Sequence, residues 1–393
     1  WSSAAPSYVF MNTPQRRETP PHRSDDSSRR VPLVIAVVCL LVVALATVAI
    51  AFRLDDPYWS DEQLQVGWVT GDLRHFFATF DFFSPPLYSF LLMGWIRLFG
   101  AAPASTALLS VAAALAALVA LYRLGELLFD RTTALVAAAI FWVSAANLGY
   151  ATETRMYALL MAASLWSVLF AHRWMRTSRR SAWWGYLIAT VIGVYTHYSF
   201  WFLLYAQNLG LAIGWWRGGL PRSTVRRWIG AQAIVAFSFL PWLPLLVYWI
   251  WMFYLRGKWN WVSALFPVDH WTYPFQALTG FLYPSWSVPG WANGLWAGFA
   301  VCLGITLLAA DRRWRPAADR GGIWRMPWVT LGLLIIIPLT VVTVAGAGVS
   351  RYVIYTGPVA ALLLAAGVVA FDRRFGSHWL LTVLERLLMP WRN

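Results

Sequence analysis

The residues best suited to chemistry gather between Leu54 and Tyr88, in the stretch LDDPYWSDEQLQVGWVTGDLRHFFATFDFFSPPLY. Asp55, Asp56, Asp61, Glu62, Asp72 and Asp81 lie there, with Arg74 as the accompanying basic residue, in a chain of 17 acidic and 31 basic residues and formal net charge +14. A carboxylate held beside apolar surface gains proton affinity and can act as a general base toward a hydroxyl. Asp61 and Glu62, which follow Trp59–Ser60 just past a long apolar run, are the pair placed for that work. Asp55 and Asp56 precede Pro57 and read instead as a solvated or capping turn.

Further candidates are scattered along the chain. Glu153 and Arg155, in YATETRMYALL, stand at the mouth of an apolar run, where ionisable groups either serve a site or snorkel to the interface. Arg351 and Tyr352, in VSRYVIYTGP, open the last apolar run, and an arginine there can clamp a phosphate through two parallel N–H bonds or simply anchor the interface. Tyr88, His197 in YTHYSF and His270 after Asp269 are possible substrate contacts. No His/Cys/Asp cluster has a firm metal-ligand spacing, so a divalent metal is possible but assigned to no residues. Neither a P-loop nor a dinucleotide glycine fingerprint occurs, which speaks against a nucleotide-linked substrate.

The elements that must position these residues are membrane spans. The chain is 59% hydrophobic and 12% charged, half the charged share of a soluble domain. Apolar runs of about 17–22 residues recur, long enough to cross a bilayer as helices. They predict an all-α polytopic membrane protein with about ten spans, near 32–52, 104–122, 132–149, 155–171, 183–196, 198–216, 228–253, 289–310, 328–346 and 353–371. Most of the lysines and arginines fall at 12–30, 172–182, 217–227, 311–327 and after 372, which predicts that both termini are cytoplasmic. An even number of crossings must then separate the first two basic segments. The apolar run 85–99 is therefore read as a juxtamembrane helix of the first outer loop, 53–103. Asp61, Glu153, His197, His270 and Arg351 consequently share the outer face. Residues 1–31 are expected to be a disordered cytoplasmic tail, with the ten residues before Met11 set aside as an upstream extension. Residues 32–371 form one transmembrane domain, and 372–393 a cytoplasmic amphipathic tail. The basic residues lie between spans and so follow orientation rather than nucleic-acid binding. Cys39 and Cys302 sit in apolar runs and form no disulfide framework.

The series WSDE, SPPLY, ETRMYALL, THY and RYVIYTGP, in that order over about 54–370, resembles the GT-C superfamily of membrane glycosyltransferases. It is most similar to the bacterial family-39-like branch related to protein O-mannosyltransferases and to the aminoarabinose transferase that modifies lipid A. The resemblance implies a polyprenyl-phosphate-linked sugar donor, an inverting transfer at the outer face of the cell membrane, and an acceptor that is a lipid, a protein or a cell-wall glycan. Asp61 matches the family's catalytic aspartate, and Glu62 is its motif neighbour. Glu153 lies close to a second functional acidic position, and Arg351–Tyr352 match an Arg-Tyr pair. Where the family usually has His before the double proline, this chain has Ser84. The chain ends soon after its last span, so transfer of a whole glycan to asparagine is not expected. Two other classes stay open. A transporter or flippase of lipid-linked material would place ionisable groups near the bilayer midplane. A non-catalytic subunit of a membrane complex would have no need of Asp61.

Overall fold

A computed structural model of the protein describes residues 26–80, 84–216, 220–251, 332, 334–335 and 356–375. Among them every regular element is a helix. In chain order these are α1 (Asp26–Phe52), α2 (Ser60–Val69), α3 (Leu73–Thr79), α4 (Leu87–Phe99), α5 (Pro103–Leu128), α6 (Arg131–Val143) and α7 (Ala145–Tyr150). They continue with α8 (Tyr157–Thr177), α9 (Arg180–Thr196), α10 (Phe200–Trp216), α11 (Arg222–Phe239), a 3₁₀ turn (Leu240–Trp242), α12 (Leu243–Ile250) and α13 (Thr356–Phe375). Among the described residues three stretches are long and apolar enough to cross a membrane: Pro103–Leu128, Tyr157–Thr177 and Arg222–Tyr248.

The centre of the bundle is α8, which packs on α5 and α9, while α6 packs on α5, α1 and α13. The reason is legible in α5. Ala107, Ser110, Ala114, Ala117, Leu121, Leu124 and Leu128 are all buried and recur at alternating steps of three and four residues. That spacing makes one continuous helical seam. Its alanines let neighbouring backbones approach closely, the usual basis of helix association in membranes. Gly125 takes this furthest: a Cβ there would lie 2.8 Å from Ala134 Cα of α6. On the other side of α8, polar side chains tie the helices together. Gln207 donates to Ser167 Oγ (3.1 Å), the Tyr186 hydroxyl donates to Gln207 Oε1 (3.2 Å), and Gln232 donates to the Tyr186 hydroxyl (2.8 Å). A satisfied network of this kind links α8, α9, α10 and α11 where no water is at hand.

The two ends of the bundle differ. At one end Glu126 pairs with Arg123 (3.2 Å) and Arg131 (3.3 Å), and Arg176 donates to the Leu127 carbonyl. At the other end meet the C-terminus of α1, the N-terminus of α5, the α7–α8 connection and the α9–α10 turn. The short helices α2, α3 and α4 belong to this second end. Trp95 of α4 donates to the Ser105 carbonyl, and the Tyr88 hydroxyl lies 3.2 Å from Ser110 Oγ. These α4 contacts thus stay on the first two turns of α5, and the helix closes at Gly100, whose φ of 84° suits glycine.

Two differences from the sequence reading have local causes. The run 132–149 is not one helix. Ser144 turns extended (ψ 142°) and its Oγ accepts from Asn147 N–H (3.2 Å), capping α7 as a separate element. The run 228–253 starts earlier, at Arg222, and passes through a 3₁₀ turn at Pro241, which cannot donate to the helix ladder. The expected spans 289–310 and, almost wholly, 328–346 lie outside the described residues.

Candidate active site

The site is built on the first turn of α2. Trp59, the N-cap, is extended (φ −82°, ψ 172°), so the chain enters the helix with unpaired N–H groups. Glu62, at the third helical position, reaches back and accepts from Trp59 N–H (3.1 Å) through Oε2. Its other oxygen, Oε1, accepts from the backbone N–H of Thr154 (2.5 Å), 92 residues further on. Glu62 is only 7% exposed. A buried carboxylate needs such donors, and both oxygens of Glu62 are occupied by them. The side chain therefore ties α2 to the α7–α8 connection.

Asp61, one residue earlier, makes a different contact. Arg155 Nη2 stands 3.8 Å from Asp61 Oδ2, and Arg155 Nη1 donates to the Asp61 carbonyl (3.2 Å). The Arg155 side chain is 11% exposed and that of Asp61 28%. Arg155 Nε is buried without a hydrogen-bond partner among the described residues. Its guanidinium carbon lies 6.0 Å from the Tyr157 ring centroid, at the outer limit of cation–π distance. The arginine thus braces Asp61 and keeps a spare donor. Asp61 keeps access to solvent.

Hydroxyl groups hold the surrounding backbone. The Tyr58 hydroxyl donates to the Ala101 carbonyl (2.8 Å) and lies 2.8 Å from Thr106 Oγ1, which is 2.8 Å from Thr154 Oγ1. Ser110 donates to the Glu153 carbonyl (2.5 Å), leaving Tyr88 to donate to Ser110. Gln65 of α2 donates to Ser89 of α4 (2.9 Å). Burial, the largest influence, pushes the hydroxyls of Tyr58 and Tyr88 upward from the usual tyrosine range, so both stay protonated donors. His197 ends α9. Its Nδ1 accepts from Ser199 N–H (3.1 Å), which puts the proton of the neutral ring on Nε2, and its ring lies 6.2 Å from that of Tyr157.

Beside this group opens a cleft of about 340 Å³. The Arg53–Trp59 turn, Pro103 and the Gly149–Thr154 connection wall it. Glu62 and Glu153 line the cleft; Asp61 does not.

The fold therefore gathers Asp61, Glu62, Tyr88, Glu153, Arg155 and His197 at one end of the bundle. His270, Arg351 and Tyr352 lie outside the described residues. Among the described residues no three or more His, Cys, Asp or Glu stand together as metal ligands. Sequence reasoning missed Tyr58, Thr106, Ser110, Thr154 and Tyr157. Thr154 and Tyr157 carried a usable signal, since they stand beside Glu153 and Arg155 in TETRMY.

Residues 84–249 match the protein-family description dolichyl-phosphate-mannose-protein mannosyltransferase. No curated protein matches the sequence. Among solved structures, the chain is similar to ArnT from Cupriavidus metallidurans bound to undecaprenyl phosphate, at 16% identity and a TM-score of 0.50, over 85% of this chain and 60% of that one. It is also similar to the Archaeoglobus fulgidus oligosaccharyltransferase in its apo form, at 16% identity and a TM-score of 0.53, over 89% and 52%. The same oligosaccharyltransferase tethered to an acceptor peptide with an NVT sequon matches at 15% identity and a TM-score of 0.52, over 86% and 50%. The chain spans 50–60% of the length of these structures.

Proposed function

We propose that this chain is a membrane glycosyltransferase of the GT-C type, a reading supported by the family match over residues 84–249, and that it moves a sugar from a polyprenyl-phosphate-linked donor to a hydroxyl acceptor at the outer face of the cell membrane. The observation that carries this reading is the joint placement of Asp61 and Arg155: a solvent-accessible carboxylate braced by an arginine with a buried spare N–H. Asp61 takes the proton from the acceptor hydroxyl as its oxygen bonds to the anomeric carbon. The bond from that carbon to the phosphate oxygen breaks, and its electron pair leaves on the polyprenyl phosphate, with inversion at the sugar. Arg155 supplies positive charge to the leaving phosphate, since preorganised donors act most strongly where charge develops. Arg351 and Tyr352 are proposed as further phosphate contacts, and His197 and His270 as contacts to bound substrate. Glu62 and the Tyr88–Ser110 pair hold the geometry. The remaining parts of the reading are a bundle of about ten spans, both termini in the cytoplasm, and a divalent metal as an open requirement.

ArnT, the structural neighbour solved with undecaprenyl phosphate, supports a lipid-linked donor. The test supplies radiolabelled polyprenyl-phosphate sugars to membranes carrying wild type or Asp61→Asn. A positioned general base contributes about 10²–10⁴-fold, so Asp61→Asn is expected to lose transfer by that factor. Equal transfer by both proteins removes Asp61 from the mechanism. No transfer from any lipid-linked donor refutes the enzyme reading.

A further inference from the structure

We infer that the cleft between the Arg53–Trp59 turn and the Gly149–Thr154 connection is a carbohydrate subsite, and that the acceptor of the proposed transfer is accordingly a glycan. The inference rests on the glycosyltransferase reading for its place in the reaction, but the cleft is a separate cavity.

Its lining carries the chemistry of sugar recognition. The aromatic residues Tyr58, Trp59 and Tyr150 line it, and so do the acidic residues Asp56 and Glu153. Sugar rings pair an apolar face of C–H groups with an equator of hydroxyls. The first packs on an aromatic ring, and the second donates to carboxylate oxygens. Trp59 is 42% exposed, and Asp56 and Arg53 form a 3.4 Å pair whose side chains are 60% and 49% exposed, so the wall is open to ligand from outside. The volume of about 340 Å³ is at the lower end for small-molecule sites, which suits one sugar residue rather than an extended chain.

Charge decides against the donor lipid as occupant. Among the described residues Arg53 is the lining residue with positive charge, and it faces Asp56, while Glu62 and Glu153 add two further carboxylates. A phosphate entering there meets net negative charge. The phosphate's partner, Arg155, is not in the lining. Glu62 and Thr154, bonded to each other in the cleft wall, are the sequence neighbours of Asp61 and Arg155, neither of which lines the cleft. A ligand in the cleft thus lies next to the reacting position and not in it. That geometry fits an acceptor with at least two sugar units: one held in the cleft, and its neighbour presenting a hydroxyl to Asp61.

The test uses the full chain in detergent micelles and needs no donor. Binding of the methyl glycosides of arabinose, xylose, mannose, galactose and glucosamine is measured by saturation-transfer NMR. At least one is expected to bind saturably. Trp59→Leu and Asp56→Asn should each weaken it about fivefold or more, whereas Asp61→Asn should leave it unchanged. Thermal unfolding of each variant reports its fold, and Trp59→Phe, which keeps a ring, should retain most of the binding. Farnesyl phosphate and a Ser/Thr-rich peptide are added as competitors, and neither should displace the glycoside. Absence of binding by all five glycosides, binding indifferent to Trp59→Leu and Asp56→Asn, or displacement by the peptide or the prenyl phosphate overturns the inference. The two readings fail separately. Saturable glycoside binding without transfer from any lipid donor removes the enzyme and keeps the subsite. Transfer that proceeds at unchanged acceptor KM in Trp59→Leu and Asp56→Asn keeps the enzyme and removes the subsite.

Discussion

Glu62 looks like a catalytic carboxylate in sequence, yet its surroundings make it a tie, and the two roles separate cleanly on substitution. Its carboxylate accepts from Thr154 N–H at 2.5 Å and from Trp59 N–H at 3.1 Å. Thr154 is 1% exposed, so in Glu62→Ala its N–H loses a charged acceptor at a buried position. Hydrogen bonds to charged groups contribute about 1.5–3 kcal/mol. The Trp59 residue is 42% exposed, so its N–H can turn to solvent and only the capping contribution of about 0.5–1 kcal/mol is lost. Glu62→Ala should therefore destabilise the protein by roughly 3 kcal/mol. Glu62→Gln keeps one oxygen for Thr154 but turns an NH₂ toward the Trp59 N–H, and should lose about 1–1.5 kcal/mol. Denaturant unfolding in detergent micelles measures both. The transfer assay then reads the role. A misplacement of about 1 Å at a reacting group can lower a rate 10²-fold, so Glu62→Ala should lose much of kcat. Because Glu62 moves no proton in this account, Glu62→Gln should lower kcat without shifting the limbs of the pH–rate profile. Unchanged stability in both variants would refute the tie, and a displaced limb in Glu62→Gln would return Glu62 to the proton transfer.

Two further outcomes follow from packing and burial. In Gly125→Ala the new methyl meets Ala134 Cα at 2.8 Å, and a backbone atom cannot rotate away, so α5 and α6 must separate at a cost of about 1–3 kcal/mol. Gly94→Ala, with nothing within 4 Å, should be neutral or gain up to about 1 kcal/mol; equal stability of the two variants would sink the close-approach account. Tyr88 gives a pH signature. Its hydroxyl titrates higher folded than unfolded because of burial, so the folded state holds the proton more tightly. That contribution is complete below about pH 10 and declines as the pH rises further. Tyr88→Phe should be about 1 kcal/mol less stable at neutral pH, through the lost bond to Ser110, with the gap narrowing above about pH 10. A gap that stays constant to pH 12 in unfolding titrations contradicts the burial argument.

What was legible in the sequence, and what was not, divides along one physical line. The α5 seam was readable because burial of a helix face leaves a period in the residues themselves, Ala114, Ala117, Leu121 and Leu124. The gathering of Asp61, Glu153, Arg155 and His197 at one end was readable because charge asymmetry between connections orders the helix ends, whatever the side chains then do. Pairing was a different matter. A carboxylate at the third position of a helix has the same sequence signature whether it caps, reaches across to Thr154, or takes a proton. Neither period nor charge count distinguishes these uses, because the deciding donor lies 92 residues away. The same holds for Ser144: a serine inside an apolar run can hydrogen-bond back and stay helical, or cap a new turn, and the choice belongs to its neighbours Asn147 and Phe141. Tyr58, Thr106 and Thr154 are three ordinary residues until one end of the bundle brings their hydroxyls within 2.8 Å of each other in turn. The consequence for the site is specific. Two adjacent acidic residues, Asp61 and Glu62, point into different environments, one toward a guanidinium and solvent, the other into backbone N–H groups. Only the first has the solvent access that a base acting on an incoming hydroxyl requires. The second fixes where that base stands, so the tie and the base work as one unit and substitutions at the two positions should not add.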